Sequence, residues 1–182
     1  CTYQIKCRTL HFSLAKVCTS ILQYTKDNEG DNMWQEKLIE VEKYEARFGD
    51  KLNRGASKLE LEKFMNAVKD RLNIELLPEH IKLLKRKNGL EFNGFTIYGI
   101  DEEFLEESYD NGITGLIDTN EIWYENEWQK QYLFIGDSNI SWYVYDLKTK
   151  VFRELDKPSG SEVEEYQTLD ELIDKLLTDS LL

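Results

Sequence analysis

Residues 132–177, YLFIGDSNISWYVYDLKTKVFRELDKPSGSEVEEYQTLDELIDKLL, hold the pattern from which the rest of the chain can be placed. Residues 132–135, 141–147 and 151–155 are runs rich in aromatic and β-branched side chains, each bounded by a turn signal, which is the signature of an antiparallel meander. Gly136-Asp137-Ser138-Asn139 supplies the first turn and Lys148-Thr149-Lys150 the second. Pro158-Ser159-Gly160 ends the last strand, because proline brings no amide proton to a ladder. In the middle strand Trp142, Val144 and Asp146 point one way and Tyr143, Tyr145 and Leu147 the other. That alternation predicts one largely apolar face and one amphipathic face that touches both core and water, with Phe134 on the Trp142 side. A cover follows at once: Thr168 caps a helix, Glu171 completes a capping box, and Leu169, Leu172, Ile173, Leu176 and Leu177 form an apolar stripe at helical spacing.

Upstream, the chain reads as helices and then a hairpin. Trp34, Leu38, Ile39 or Val41, Tyr44 and Phe48 mark an amphipathic helix that stops at Gly49-Asp50. Ser57-Lys58-Leu59-Glu60 is a capping box for a second helix, with Leu61, Phe64, Met65, Val68 and Leu72 inward. A third starts at Pro78 and ends in Lys85-Arg86-Lys87-Asn88-Gly89, a basic turn that suits a helix C-terminus, with Gly89 as its left-handed cap. Residues 90–92 and 95–100 are strands joined by Asn93-Gly94, the dipeptide that a two-residue hairpin demands. Residues 101–107 read as a short acidic helix or loop crossing the sheet edge, and residues 117–128 as a helical or irregular connection. The expected fold is therefore α+β: a single domain over residues 33–182 with a largely antiparallel sheet of five or more strands, packed by N-terminal helices and a closing C-terminal helix.

Residues 1–32 differ in character. They hold all the cysteines, Cys1, Cys7 and Cys18, together with His11, and no acid before Asp27. Glu29-Gly30-Asp31 lies just before Met33 and can be encoded by the purine-rich DNA of a bacterial ribosome-binding site, so Met33 is expected to be the native start and residues 1–32 a non-native or disordered leader. Cys7, His11 and Cys18 lack the paired short spacing of a zinc module. Over the whole chain 35 Asp and Glu face 23 Lys and Arg, a net charge of −12. Such a field repels nucleic acid and anionic membrane and favours a basic protein partner, although acidity also serves solubility alone. No run is apolar enough to span a bilayer or to act as a secretion signal.

The search for chemistry returns no catalytic set. His80 is the one histidine beyond residue 32, and its place in the first turn of a helix beside Glu79 predicts a partly exposed structural role. Gly112-Ile113-Thr114-Gly115 lacks the lysine of a phosphate loop, and the pairs Glu102-Glu103, Glu106-Glu107 and Glu164-Glu165 diverge as neighbours and read as solvated faces.

Leu77-Pro78-Glu79-His80-Ile81, Lys87-Asn88-Gly89-Leu90 and Tyr98-Gly99, followed by Phe134-Ile135-Gly136-Asp137-Ser138, the strand from Trp142 and the closing helix, resemble the SUKH superfamily, which contains bacterial immunity proteins and the yeast Smi/Knr cell-wall regulators. The chain departs from that pattern at Ser138-Asn139-Ile140 and in its longer helical lead-in. The resemblance implies no enzymatic activity, and the residues themselves lead to the expectation of no metal and no cofactor. It implies a cytoplasmic immunity protein that neutralises a toxin, often a nuclease, by binding it, or alternatively a general intracellular regulatory module without a toxin partner. A basic toxin domain would meet the acids Glu102, Glu103, Glu106, Glu107 and Asp110, with Tyr109, Tyr124 and Trp128 as aromatic anchors. Trp128 suits burial equally well, and Trp123 suits it better.

Overall fold

The structure, a computed structural model, describes residues 33–108 and 112–182; the expected leader, residues 1–32, lies outside the described residues. Strands β1 (Leu90–Phe92), β2 (Phe95–Ile97), β3 (Tyr132–Ser138), β4 (Ser141–Asp146), β5 (Phe152–Asp156) and β6 (Glu162–Tyr166) form one sheet in which every strand pairs antiparallel with its successor. Asn93 (φ 49°) and Gly94 (φ 80°) make the turn between β1 and β2 that their sequence calls for.

Two sequence expectations change here. Gly136, Asp137 and Ser138 are strand rather than turn, because β2 offers their backbone a partner through the pairs Ile97 with Gly136, Thr96 with Asp137 and Phe95 with Ser138. A bulge between Phe134 and Gly136 absorbs the resulting change of register against β4. The turn at Pro158-Ser159-Gly160 ends β5 but also reverses the chain into β6, a strand that pattern reading misses because Glu162, Val163, Glu164 and Glu165 are all exposed and show no alternation.

Among the described residues five α-helices cover the sheet: α1 (Met33–Ala46), α2 (Lys58–Leu72), α3 (Pro78–Arg86), α4 (Leu116–Trp123) and α5 (Leu169–Ser180). Both expected capping boxes form, Ser57 with Glu60 at α2 and Thr168 with Glu171 at α5. α5 lies on β5 and β6 with α1 and α3 against it, while α4 lies on β3 with α2 outside. The indole of Trp34 donates to Asp170 at 2.7 Å and Lys37 pairs with Asp174 at 2.5 Å, fixing α1 to α5. With Trp123 of α4 on the Trp142 face and α5 over the other, every residue of β4 is buried. The expected half-wet face of β4 is thus corrected: Tyr143 and Tyr145 are core residues.

Four smaller corrections share one cause, the position of a helix end or stripe. α1 stops at Ala46, so Phe48 lies past it and is 69% exposed, and Tyr44 is exposed with it. Met65, expected in the inward stripe of α2, is exposed too, while of Ile39 and Val41 it is Val41 that turns inward. α3 ends with Lys87 extended at φ −146°, and Gly89, at φ 74°, turns the chain into β1 instead of capping the helix. His80 is 1% exposed, because it shares the inward face of α3 with Leu83 and Leu84.

Two measurements follow from this packing. Trp142 meets Trp123 at 5.3 Å, Phe134 at 5.9 Å and Trp128 at 6.2 Å between ring centroids, so Trp142→Ala empties the centre of one layer. A loss of about 3–5 kcal/mol in urea unfolding is expected, and wild-type stability would contradict this core assignment. Burial without a charge partner pushes His80 down to about 4 from 6.5, so protonation favours the unfolded chain. Its stabilising share is intact above about pH 6.5 and is lost progressively as pH falls toward 4. Between about pH 7 and 4.5 wild type should lose stability by a margin of about 2–3 kcal/mol over His80→Gln, and parallel pH profiles would refute the assignment.

Candidate functional site

The acidic segment expected to meet a partner is launched by Asp101. Just before it, Gly99 bridges Gly115 in parallel, and just after it the chain makes a single 3-10 turn, Glu102–Phe104. Asp101 is buried, and its carboxylate accepts the backbone N–H of Ile117 at 3.0 Å and of Asp118 at 2.8 Å. It therefore caps α4, whose own N-cap residue, Gly115, has no side chain to offer. A Cβ on Gly115 would lie 2.1 Å from Asp101 Oδ1, so glycine is what allows the carboxylate in. Burial raises the Asp101 pKa, opposed by the two N–H groups.

Further along α4, buried Asn120 donates to the carbonyls of Leu116 and Phe134 and accepts the Phe134 N–H, each at 2.8 Å. All three bonds use its full amide, and two of them stitch the helix to β3 beside the bulge. On the outside, Arg71 from the last turn of α2 gathers Glu103 at 2.7 Å, Asp118 at 3.0 Å and Glu121 at 2.6 and 2.8 Å. The Arg71 hydrogen bonds hold the Glu121 carboxyl below its ordinary value.

Glu60 does more than the capping box that its sequence announces. Its buried carboxylate receives Arg54 at 2.7 and 3.0 Å, the Ser57 N–H at 2.7 Å and the Glu106 N–H at 3.1 Å. Burial acts to raise its pKa, yet these donors prevail and hold it at about 2. The start of α2 and the acidic loop are thereby tied through one side chain.

Glu102, Glu103, Glu106 and Glu107 are all exposed, as the sequence leads one to expect. Glu103 is held by Arg71, and Glu106 accepts the Ser57 hydroxyl at 2.6 Å. Tyr124 is half-buried and its hydroxyl donates to the Tyr132 carbonyl at 2.7 Å, so it is an internal strut. Trp128 is 42% exposed, lies edge-on to Tyr132 and Trp142, and covers Gly160 with its ring. Both readings of Trp128 thus apply to it, one side packed and the other open. Trp123 is half-buried against Phe134 and Trp142. Tyr109 and Asp110 lie outside the described residues.

Sequence reading misses the outer face of α4. Asp118, Glu121 and Ile122 on α4 and Glu125 in the turn just past its end are exposed and recur at helical spacing, with Ile122 60% exposed among the carboxylates. The helical alternative for residues 117–128 is the one that forms, over Leu116–Trp123, and the exposed acids on it are what pattern reading passes over.

The sequence profile of the SMI1 / KNR4 family (SUKH-1) matches residues 56–175, more than half of the chain. The chain belongs to this family. The match runs from just before α2 into α5, so it takes in all six strands and α4 and leaves α1 outside. A comparison with curated proteins finds no significant match. Among the described residues no helix is long and apolar enough to cross a membrane, and no group of His, Cys, Asp and Glu is arranged to hold a metal ion.

Glu60→Ala should cost about 3 kcal/mol, since it leaves the Ser57 and Glu106 amides without their acceptor. Hydrogen exchange should accelerate at both amides together; unchanged exchange at Glu106 would mean that Glu60 does not hold the acidic loop.

Proposed function

We propose that this member of the SUKH family is a non-enzymatic, cytoplasmic immunity protein that neutralises a basic toxin domain, a nuclease fitting best, by binding it. The observation that carries the reading is the outer face of α4 and the neighbouring loop, where Glu102, Glu103, Glu106, Glu107, Asp118, Glu121 and Glu125 are exposed on backbone fixed by Asp101, Asn120 and Arg71. A nuclease cleft is basic because it binds a polyanion, so a rigid acidic face is drawn to it and blocks it without chemistry. Ile122 and Trp128 supply the apolar contact that slows departure once charge has brought the pair together. The net charge of −12 argues against direct contact with nucleic acid. A groove of about 710 Å³ between the end of α1 and the first hairpin is lined by Glu45, Asp50 and Glu91, which adds to the acidic surface.

Residues 33–182 used as bait in the producing cell should capture such a toxin, its gene lying directly upstream; a solitary gene and a non-toxin partner would favour the regulatory role instead. For the recovered pair, Glu102→Lys, Glu107→Lys and Glu125→Lys are the suitable reversals, because Glu103 and Glu106 also anchor Arg71 and Ser57. The triple variant should associate at least about tenfold more slowly at low salt, and Trp128→Ala should chiefly raise the dissociation rate. An association rate indifferent to both ionic strength and the reversals would eliminate the acidic-face mechanism.

A further inference from the structure

The two edges of the sheet are finished differently. β6, at one end, carries exposed acids along its length, a guard against pairing with a further strand. β1, at the other end, has a single charge, Glu91, and pairs with β2 without a bulge. Its free backbone can be placed from its neighbours. Tyr98, just past β2, donates its N–H to the Ile135 carbonyl of β3 at 2.8 Å, so by the alternation of an antiparallel ladder Thr96 also bonds toward β3 while Phe95 and Ile97 bond toward β1. Their partners there are Phe92 and Leu90. Glu91 lies between those two, and its N–H and C=O therefore point away from the sheet. They open onto the groove of about 710 Å³ between β1 and the end of α1. Three carboxylates line that groove, Glu45, Asp50 and Glu91, and no lysine or arginine does. The faces of β1 continue into different surroundings. Leu90 and Phe92 share the inward face, where Tyr44, 46% exposed, lies edge-on to Phe92 at 5.4 Å and beside Phe48 at 5.3 Å. Glu91 stands on the opposite face, exposed to water.

We propose that the edge of β1 is a separate docking site, which takes an extended peptide of alternating basic and apolar residues as an added antiparallel strand. The Glu91 N–H and C=O bond the peptide residue opposite, whose basic side chain meets the Glu91 carboxylate on one face. The apolar side chains on either side of it lie on the other face, against Tyr44 and Phe48. Glu45 and Asp50 add to the attraction from the α1 wall. Charge selects this occupant. A second copy of the chain, paired about a twofold axis, would set Glu91 directly against Glu91, and a net charge of −12 repels its own kind. An acidic strand would be repelled by all three carboxylates. None of the groove's lining residues belongs to the outer face of α4, so the site stands whether or not that face meets a toxin.

Titrated against the full chain by fluorescence anisotropy, a labelled peptide of about eight residues alternating lysine and valine should bind with a Kd below about 1 mM, and no binding at that concentration would overturn the proposal. A peptide of the same composition in two blocks, lysines then valines, should bind at least about tenfold more weakly. Equal binding would mean attraction by charge alone and would refute the strand. The residue facing Glu91 turns its own N–H toward β1, so methylating the lysine amides should abolish binding and methylating the valine amides should leave it. The reverse pattern, or equal loss in both, would refute the pairing. Glu91 is exposed, so Glu91→Lys should keep the wild-type melting temperature and weaken binding at least about tenfold, and unchanged affinity would count against the site. Hydrogen exchange at the Glu91 amide should slow when the peptide is added. Protection of that amide before any peptide is present would show another segment of the chain or a second copy already on the edge, and would overturn the proposal as well.

Discussion

Asp101 caps a helix that cannot cap itself, and the candidate surface depends on that one carboxylate. Without it the free N–H groups at the start of α4 face a buried interior with no acceptor, because Gly115 brings only backbone. The same residue turns the chain from the edge of the sheet into the Glu102–Phe104 turn, so the helix and the acidic loop share one origin. Asn120 and Arg71 then fix the helix from inside and outside. The arrangement explains how a face crowded with carboxylates keeps its shape: the repelling groups sit on backbone held by polar bonds from other elements, and Arg71 offsets part of their mutual repulsion.

The sheet supplies the other half of the support. Because β4 is covered on both sides, its aromatic residues serve two layers at once, Trp142 meeting Trp123 and Phe134, and Tyr143 stacking on Phe95 at 6.4 Å. A helix displaced from either side therefore disturbs the opposite layer through the same strand. Trp128, half in this layer and half in water, links the core to the surface, so part of its contact area is already ordered before any partner arrives.

What could be read from sequence was local. Ser57 with Glu60, Thr168 with Glu171 and Asn93-Gly94 act over two to four residues, and the stripe of α5 repeats within itself, so each is visible without knowing the fold. Asp101 to Ile117, Asn120 to Phe134 and Glu60 to Glu106 join elements that only the folded chain brings together, and nothing in Asp101 or Asn120 alone announces the role. β6 escaped for a different reason, since an edge strand open to water needs no apolar alternation, and acids there discourage pairing with another edge. His80 was misjudged because the inward face of α3 is set by the helices around it, not by its distance from the N-terminus. Within the candidate site, the exposure of the loop acids was legible from their charge, whereas the use of Tyr124 as an internal strut and the commitment of Glu103 and Glu106 to internal partners were not.

The joining of α1 to α5 bears on how the chain is made. On a ribosome α1 emerges before all six strands, and the helix that covers it, residues 169–180, only after them. At roughly 5–20 residues per second the apolar side chains of Trp34, Leu38 and Val41 wait on the order of ten seconds for that cover. Through that interval the sheet can assemble hairpin by hairpin, each strand meeting the one made just before it, while the first helix stays without its main support. Trp34 and Asp170 then close the fold as a late latch between its two ends.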